Sequence, residues 1–343
     1  MKKIIQIIVF IIILIIILFG LSYIFRPLWN TDPILQEYHD EEPNSLDVLF
    51  IGDSDIYNGI SPMELYESYG ITSYDYASSA ASNLLMYYLM LDALKTQNPK
   101  IIIMDETSIF GYKEGETNTH RAMDLLPLND VKISLMNDPN YNFNPGDKLT
   151  FALPFFRYHD RWKELSLKDL FKKKETLTYY KGYTFSSSVN AAENEDTYMI
   201  DKDETAEFAT TYLPESVLKV RDYCQEHNII FILITMPDTS AWSYAKYEKM
   251  ISWTKENNIT YLDFNVMSKE TGVDFSTDTS DDGMHLNTSG ACKLSKYIAN
   301  YLHKHYDLPD HRGVSGYEIW DTTLESYIIE RDNYYAELQN KVD

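Results

Sequence analysis

Two short stretches of this chain carry residue types that could together perform nucleophilic acyl transfer. Residues 48–54 read V-L-F-I-G-D-S, a short apolar run that enters a Gly-Asp-Ser turn. Residues 282–285 read D-G-M-H. A serine hydroxyl becomes a strong nucleophile when an imidazole accepts its proton and a carboxylate orients that imidazole. If the two stretches meet in space, we expect Ser54 to be the nucleophile, His285 the base and Asp282 the orienting carboxylate.

The position of His285 along the chain supports this interpretation. Of the 8 histidines, it alone has an aspartate three residues before it. It follows the last apolar strand pattern, lies in a glycine-bearing stretch and precedes an amphipathic helix that Asn287 or Thr288 could cap. Asp281 is an alternative orienting carboxylate for the same imidazole.

Apolar strand patterns alternate with helical patterns along the chain. Strands are predicted at 48–51, 73–76, 100–104, 229–235 and 260–264, and helices at 62–69, 80–96, 214–227, 242–257, 287–303 and 318–339. This alternation favours an α/β fold with a parallel sheet covered on both faces. Active sites in such sheets form beyond the carboxyl ends of the strands, which is where Ser54 is expected. Residues 107–212 have no clear period and predict an insertion between the third and fourth strands.

The N-terminal segment predicts a single transmembrane helix. Residues 4–19 are apolar apart from Gln6, and the run continues to Phe25 without a small-residue cleavage site. Because Lys2 and Lys3 precede it, the positive-inside rule puts the N-terminus in the cytoplasm and the rest outside. We therefore expect an uncleaved signal anchor over 1–26 and a proline-containing linker over 27–46.

Composition narrows the classes of partner. A net charge of −22 repels the phosphates of nucleic acid, so we expect no nucleic-acid ligand. No cysteine and histidine cluster has zinc-ligand spacing, so we expect no metal and no cofactor. The two cysteines, Cys224 and Cys292, fall in helical patterns, and the sequence leaves open whether they pair.

The strand followed by Gly-Asp-Ser and the late D-x-x-H resemble the SGNH/GDSL hydrolase superfamily. The resemblance covers about residues 46–106 and 214–305, and implies a flavodoxin-like three-layer α/β/α domain over 47–306 with a C-terminal extension over 307–343. It also implies Ser54, Asp282 and His285 as the catalytic residues.

Two positions of the family pattern differ. The family has an oxyanion-hole glycine after the second strand and an asparagine after the third. This chain has Y-D-Y-A-S-S-A-A-S-N at 74–83 and M-D-E-T-S at 104–108. Ala77 stands near the glycine position and could still donate its backbone N–H, and Ser79 or Asn83 could replace the asparagine.

With the anchor, the chain looks similar to extracytoplasmic SGNH proteins that work beside polytopic membrane O-acyltransferases. The resemblance implies a serine esterase or O-acyltransferase acting on acyl esters of a cell-envelope polysaccharide at the outer side of the cell membrane. The alternative is a non-catalytic SGNH-fold accessory protein that binds a glycan or a membrane O-acyltransferase.

A second group of polar residues lies in the predicted insertion. Arg157, His159 and Arg161 fall in the stretch R-Y-H-D-R-W, and the two arginines are four residues apart. Paired arginines beside aromatic rings could hold an anionic polymer or a carboxylate. The competing interpretation, which we favour, is an ion-paired turn that anchors the insertion.

Overall fold

Five parallel strands form one sheet in the part of the chain that the computed structural model describes, residues 1–29, 31–111, 115–171, 180–200 and 206–342. The strand order is β2-β1-β3-β4-β5, and every pairing is parallel. The strands are β1 (Val48–Gly52), β2 (Ser73–Ala77), β3 (Ile101–Asp105), β4 (Ile230–Thr235) and β5 (Thr260–Asp263). This is the flavodoxin-like order, and it confirms the predicted α/β fold class.

Helices fill the connections between the strands. In chain order they are α1 (Lys2–Phe25), α2 (Asp32–Tyr38), α3 (Ser54–Gly59), α4 (Pro62–Tyr69), α5 (Asn83–Ala93), α6 (Glu116–Met123), α7 (Asp130–Met136), α8 (Pro145–Ala152), α9 (Phe155–Tyr158), a 3₁₀ helix (His159–Lys163), α10 (Leu167–Phe171), α11 (Tyr212–Glu226), α12 (Tyr244–Glu256), α13 (Ser268–Thr271), α14 (Thr288–His305) and α15 (Glu318–Val342).

Local sequence explains where the core elements begin and end. β1 and β3 are wholly buried and consist mostly of apolar residues, as expected for strands covered on both faces. Asn287 caps α14 by accepting hydrogen bonds from the backbone of Ser289 and Gly290. Gly70 ends α4 in the left-handed region with φ of 68°. These signals are why the predicted helices and strands of the core agree with the structure to within a few residues.

The order of the strands creates a crevice beyond the carboxyl ends of the interior strands β1 and β3. The chain runs from β1 to β2 on one side, then returns across β1 to β3 on the other. The carboxyl ends of β1 and β3 are therefore adjacent where the winding direction changes, and such switch points bind ligands. Gly52 and Asp105 end these two strands, so the residues after them face the crevice.

The chain divides into two compact units. One contains residues 1–33 and 119–177, and the other contains residues 34–118 and 178–343, including the sheet. The stretch 27–46, predicted to be a linker, is partly folded. It contains α2, and Ile34, Leu35 and Tyr38 of this helix are buried. The predicted insertion is likewise divided between the units, and its described part contains short helices that the sequence pattern did not indicate.

The C-terminal extension packs on the sheet-containing unit through α15. This helix contacts α4 and α14, and its Trp320 is fully buried. Glu64 of α4, itself buried, accepts hydrogen bonds from Arg331 at 2.8 Å and from the hydroxyl of Tyr327 at 2.9 Å. A buried carboxylate is stable only when it is paired in this way, so α15 is part of the fold.

Candidate active site

Ser54 is held at the start of α3 by a tight turn after β1. Asp53 caps this helix, its carboxylate accepting a hydrogen bond from the backbone N–H of Asp55 at 2.9 Å. A β-carbon on Gly52 would lie 2.2 Å from Cγ1 of Ile56, so only glycine allows α3 to approach the strand this closely. The turn therefore presents the Ser54 hydroxyl beyond the carboxyl end of β1.

His285 is held by a loop that ends at the cap of α14. The backbone carbonyl of His285 accepts a hydrogen bond from the N–H of Ser280 at 2.9 Å. Between them, Asp282 and Gly283 both adopt positive φ, at 59° and 92°. Two left-handed residues in succession reverse the chain, so His285 folds back over the residues just before it.

The serine and the histidine meet although 231 residues separate them in sequence. Nε2 of His285 lies 2.9 Å from Oγ of Ser54. Nδ1 of the same imidazole lies 2.5 Å from a carboxylate oxygen of Asp281, whose other oxygen accepts the His285 backbone N–H at 2.7 Å. This is the geometry of a nucleophile, a base and an orienting carboxylate.

The carboxylate at the imidazole is that of Asp281, whereas the sequence analysis preferred Asp282. Asp282 lies at the left-handed turn, where its carbonyl oxygen accepts a hydrogen bond from the hydroxyl of Thr239 at 3.4 Å. The turn puts the residue four positions before His285, and not the one three before, next to Nδ1. Asp281, named as the alternative, therefore takes the orienting position.

A cavity of about 450 Å³ opens beside Ser54 and His285. A volume of this size accommodates a small acyl group together with part of an acceptor. Its apolar wall includes Met236, Phe110 and Trp242. The rings of Phe110 and Trp242 meet edge to face, with their centroids 5.7 Å apart. The remaining lining is strongly acidic and contains Asp53, Asp55, Asp105, Glu106 and Asp238, together with Lys246.

Three of these carboxyl groups crowd together next to the serine. Oxygens of Asp53, Asp55 and Asp105 lie within 4.8 Å of one another, a donor set that suits a divalent cation. Oδ1 of Asp55 is also 3.5 Å from Nε2 of His285. Burial raises the pKa of Asp53 to about 8 and that of Asp105 to about 7, and burial with repulsion from Asp53 raises the pKa of Asp55 as well. Sequence reasoning missed this cluster, although all three residues end or follow β1 and β3.

The raised pKa values predict a stability that falls with rising pH. Between about pH 4 and about pH 8 the folded chain keeps protons on Asp53 and Asp105 that the unfolded chain releases, so the free energy of unfolding decreases across this window. We expect Asp53→Asn, whose amide oxygen can still cap α3, to be more stable than the parent near pH 8 and similar near pH 5.

Thermal unfolding at both pH values tests this expectation. Asp40→Asn is the matched control, because Asp40 is exposed and its replacement should not alter the pH dependence. A melting temperature that responds to pH equally in Asp53→Asn and in the parent would contradict the expectation.

Of the groups predicted for an oxyanion hole, the side chains of Ser79 and Asn83 do not line the cavity, whereas the donor predicted at Ala77 is its backbone N–H. Ala77 is buried in the core at the end of β2, and Ser79 is half-buried without lining the cavity. The amide of Asn83 donates to the carbonyl of Asp105 at 3.0 Å and accepts from the hydroxyl of Ser108 at 2.6 Å, so it joins α5 to the end of β3. Ala80, with φ of 53°, lines the cavity instead.

Arg157, His159 and Arg161 do not line this cavity and belong to the other unit. Arg161 donates to the carbonyl oxygen of Phe25 at 2.6 Å and pairs with Asp169 at 3.0 Å. The guanidinium of Arg157 lies over its neighbouring Tyr158 ring, and His159 is exposed. For Arg161 the geometry is that of the structural turn named as the competing interpretation. Cys224 and Cys292 are buried free thiols.

Comparison with known proteins gives distant similarity alone. No protein-family model and no curated protein matches the chain. A solved structure from Desulfitobacterium hafniense DCB-2, assigned to the G-D-S-L lipolytic family, is 14% identical over 74% of this chain and 97% of its own, with a TM-score of 0.37. One from Bacteroides fragilis NCTC 9343, assigned as an acylhydrolase, is 9% identical over 81% and 99%, with a TM-score of 0.38. TM-scores below 0.5 carry no argument about the site, so its assignment depends on the geometry described above.

Proposed function

We propose that this chain is a serine acyl-transfer enzyme of the SGNH/GDSL type. The observation that carries the proposal is the linked contact from Ser54 through His285 to Asp281, at 2.9 Å and 2.5 Å, on the edge of a cavity at the switch point of the sheet. In the proposed reaction, the Ser54 oxygen attacks an acyl carbonyl while Nε2 of His285 takes its proton. The leaving alcohol receives that proton, and an acyl-enzyme remains.

The acyl-enzyme then transfers its acyl group to water or to a sugar hydroxyl. His285 removes the proton of the acceptor, and the acceptor oxygen displaces Ser54, which recovers its hydrogen. For the negative charge on the carbonyl oxygen we propose two backbone donors. One is the N–H of Ser54, which as the first residue of α3 has no helical acceptor, and the other is the N–H of Ala80 at the cavity wall.

As the acyl donor and acceptor we propose an acylated cell-envelope polysaccharide and its sugar hydroxyls. The rings of Phe110 and Trp242 would provide apolar faces for a sugar, and the carboxyl groups beside them would accept hydrogen bonds from its hydroxyls. The helix α1 is long and apolar enough to cross a membrane. We propose that it anchors the chain with the site outside the cytoplasm, where a polytopic membrane O-acyltransferase could be its partner.

A second candidate function is a non-catalytic glycan-binding or acyltransferase-binding protein. The observation that favours it is the chemistry after β3, where Asp105 and Glu106 stand and none of the described residues brings a side-chain amide to the cavity. Carboxylates at this position would oppose the negative charge that develops on the carbonyl oxygen. The two candidates differ in whether Ser54 is reactive.

Labelling with a fluorophosphonate distinguishes them. If Ser54 is activated by His285, we expect a stoichiometric covalent adduct on Ser54, found by peptide mass spectrometry, and none in Ser54→Ala or His285→Ala. Ser240→Ala is the matched control, since Ser240 lines the same cavity without contacting the imidazole. A folded parent protein that forms no adduct would favour the non-catalytic function.

A further inference from the structure

A short segment of the chain is attached to the C-terminal end of α1. This segment, residues 155–171, comprises α9, the 3₁₀ helix and α10, and all three contact α1. The backbone N–H of Phe155 donates to Oγ of Ser22 at 3.2 Å, and its ring meets that of Phe25 edge to face at 5.2 Å. Arg161 donates to the carbonyl oxygen of Phe25 at 2.6 Å. Segment 155–171 is therefore held at the last turn of α1.

Large apolar side chains of segment 155–171 are exposed. Trp162 is 63% exposed, Leu167 72% and Phe171 74%, and Phe156 and Leu170 are exposed as well. Five exposed large apolar side chains within seventeen residues form a concentration that marks an interaction site, because the surfaces of soluble domains rarely expose such contiguous apolar patches. Tryptophan, phenylalanine and leucine on short surface helices are typical of segments that enter a membrane interface.

The charge of this region is opposite to that of the rest of the chain. Residues 155–174 contain seven lysines and arginines against three acidic residues, a net charge of +4 in a chain with a net charge of −22. The basic residues are Arg157, Arg161, Lys163, Lys168, Lys172, Lys173 and Lys174. Lysines and arginines beside apolar side chains can extend to the phosphates of anionic lipids.

The length of α1 would place its last turn at the headgroup boundary of a bilayer that it crosses. A helix of 24 residues, with a rise of about 1.5 Å per residue, is about 36 Å long and slightly exceeds a hydrocarbon core of about 30 Å. If α1 crosses the bilayer, Ser22 and Phe25 reach the headgroup boundary. Segment 155–171, which contacts these residues, then lies at the same level.

We propose that segment 155–171 is a membrane-interface element that lies in the outer leaflet of anionic phospholipid beside the anchor. This proposal rests on the proposed function only in taking α1 as the membrane anchor. Trp162, Leu167 and Phe171 enter the boundary between headgroups and acyl chains, while the net positive charge of residues 155–174 attracts the anionic headgroups. The assignment gives Arg161 a role different from the anionic-polymer site that the sequence left as one possibility, because it joins this element to the anchor.

A lipid surface fits segment 155–171 better than a protein partner does. The exposed apolar residues belong to a segment that contacts the apolar helix α1. The positive charge of residues 155–174 complements anionic headgroups. A protein groove would instead require a defined apolar stripe, which helices of four and five residues do not form.

Spin labelling of the full-length chain in vesicles of phosphatidylcholine and phosphatidylglycerol tests the proposal. Single nitroxides are placed through Phe171→Cys and Leu167→Cys, with Ile12→Cys as the anchor reference and Glu226→Cys as a charged, exposed reference. The parent chain gives the labelling background, since Cys224 and Cys292 are buried. Collision with oxygen, which enters lipid, is compared with collision with a water-soluble nickel chelate.

We expect the ratio of oxygen to nickel accessibility at positions 167 and 171 to be several-fold above that at 226, with a depth of about 5–10 Å. Water-like values at 167 and 171 would overturn the proposal. Shielding from both relaxants would also overturn it, because it would indicate contact between copies of the chain. Position 12 tests the anchor separately from the interface element. A water-like value at position 12 would contradict the proposal that α1 crosses the membrane, whereas water-like values at 167 and 171 alone would contradict only the interface element.

Discussion

Ser54→Ala is expected to lower kcat for hydrolysis of p-nitrophenyl acetate by about 10⁴- to 10⁶-fold, because no other hydroxyl replaces the attacking oxygen. The loss should fall on kcat more than on KM, since the cavity that receives the acyl group is unchanged. Activity of the parent and the variant is measured with the full-length chain in vesicles, alongside far-ultraviolet circular dichroism to verify folding.

Ser240→Ala is the control for this substitution. Its hydroxyl donates to Asp238 at 2.6 Å on the cavity wall and does not contact His285. Because this hydrogen bond touches neither Ser54 nor His285, the variant should stay within about tenfold of the parent. A folded Ser54→Ala enzyme with parental activity would disprove the proposed nucleophile.

Asp281→Asn is expected to lower kcat by about 10²- to 10⁴-fold, whereas Asp282→Asn should change it little. The carboxylate of Asp281 accepts from Nδ1 of His285 at 2.5 Å, which keeps Nε2 free to take the serine proton. An asparagine amide can donate to Nδ1 and thereby favour the wrong tautomer. Steady-state kinetics of the two variants under identical conditions measures the difference.

The paired design makes this comparison informative. Both variants remove one negative charge from the same loop, and asparagine tolerates the left-handed conformation of position 282. A general electrostatic effect would therefore lower both activities equally. A large loss in Asp282→Asn with little loss in Asp281→Asn would return the orienting role to the residue that the sequence spacing favoured.

The core of the fold could be predicted because its signals are local. β1, β3 and β4 are short, almost entirely apolar runs, and the helices between them have clear ends such as Gly70 and Asn287. The helices between β3 and α11, from α6 to α10, could not be predicted in the same way. Most span four to eight residues and are too short to show a hydrophobic period.

The meeting of Ser54 and His285 could be predicted from the sequence. The identity of the carboxylate beside His285 and the position of Asn83 could not, because they depend on backbone geometry and on a contact between distant elements. Ser54 and His285 follow from a strand, a turn and a helix cap, which sequence reveals. The choice between Asp281 and Asp282 depends on two consecutive positive φ angles, which the residues Asp282 and Gly283 permit but do not require. The position of Asn83 depends on a hydrogen bond to Asp105 from a distant element, which no local pattern indicates.

The separation of 231 residues between nucleophile and base has a consequence for biosynthesis. Ser54 emerges early during translation, but His285 and α14 emerge only when most of the chain has been made. Until then the hydroxyl has no base, so a nascent or prematurely terminated chain carries an inert serine. If Ser54 is the nucleophile that we propose, acyl transfer requires a chain that extends at least through His285 and α14.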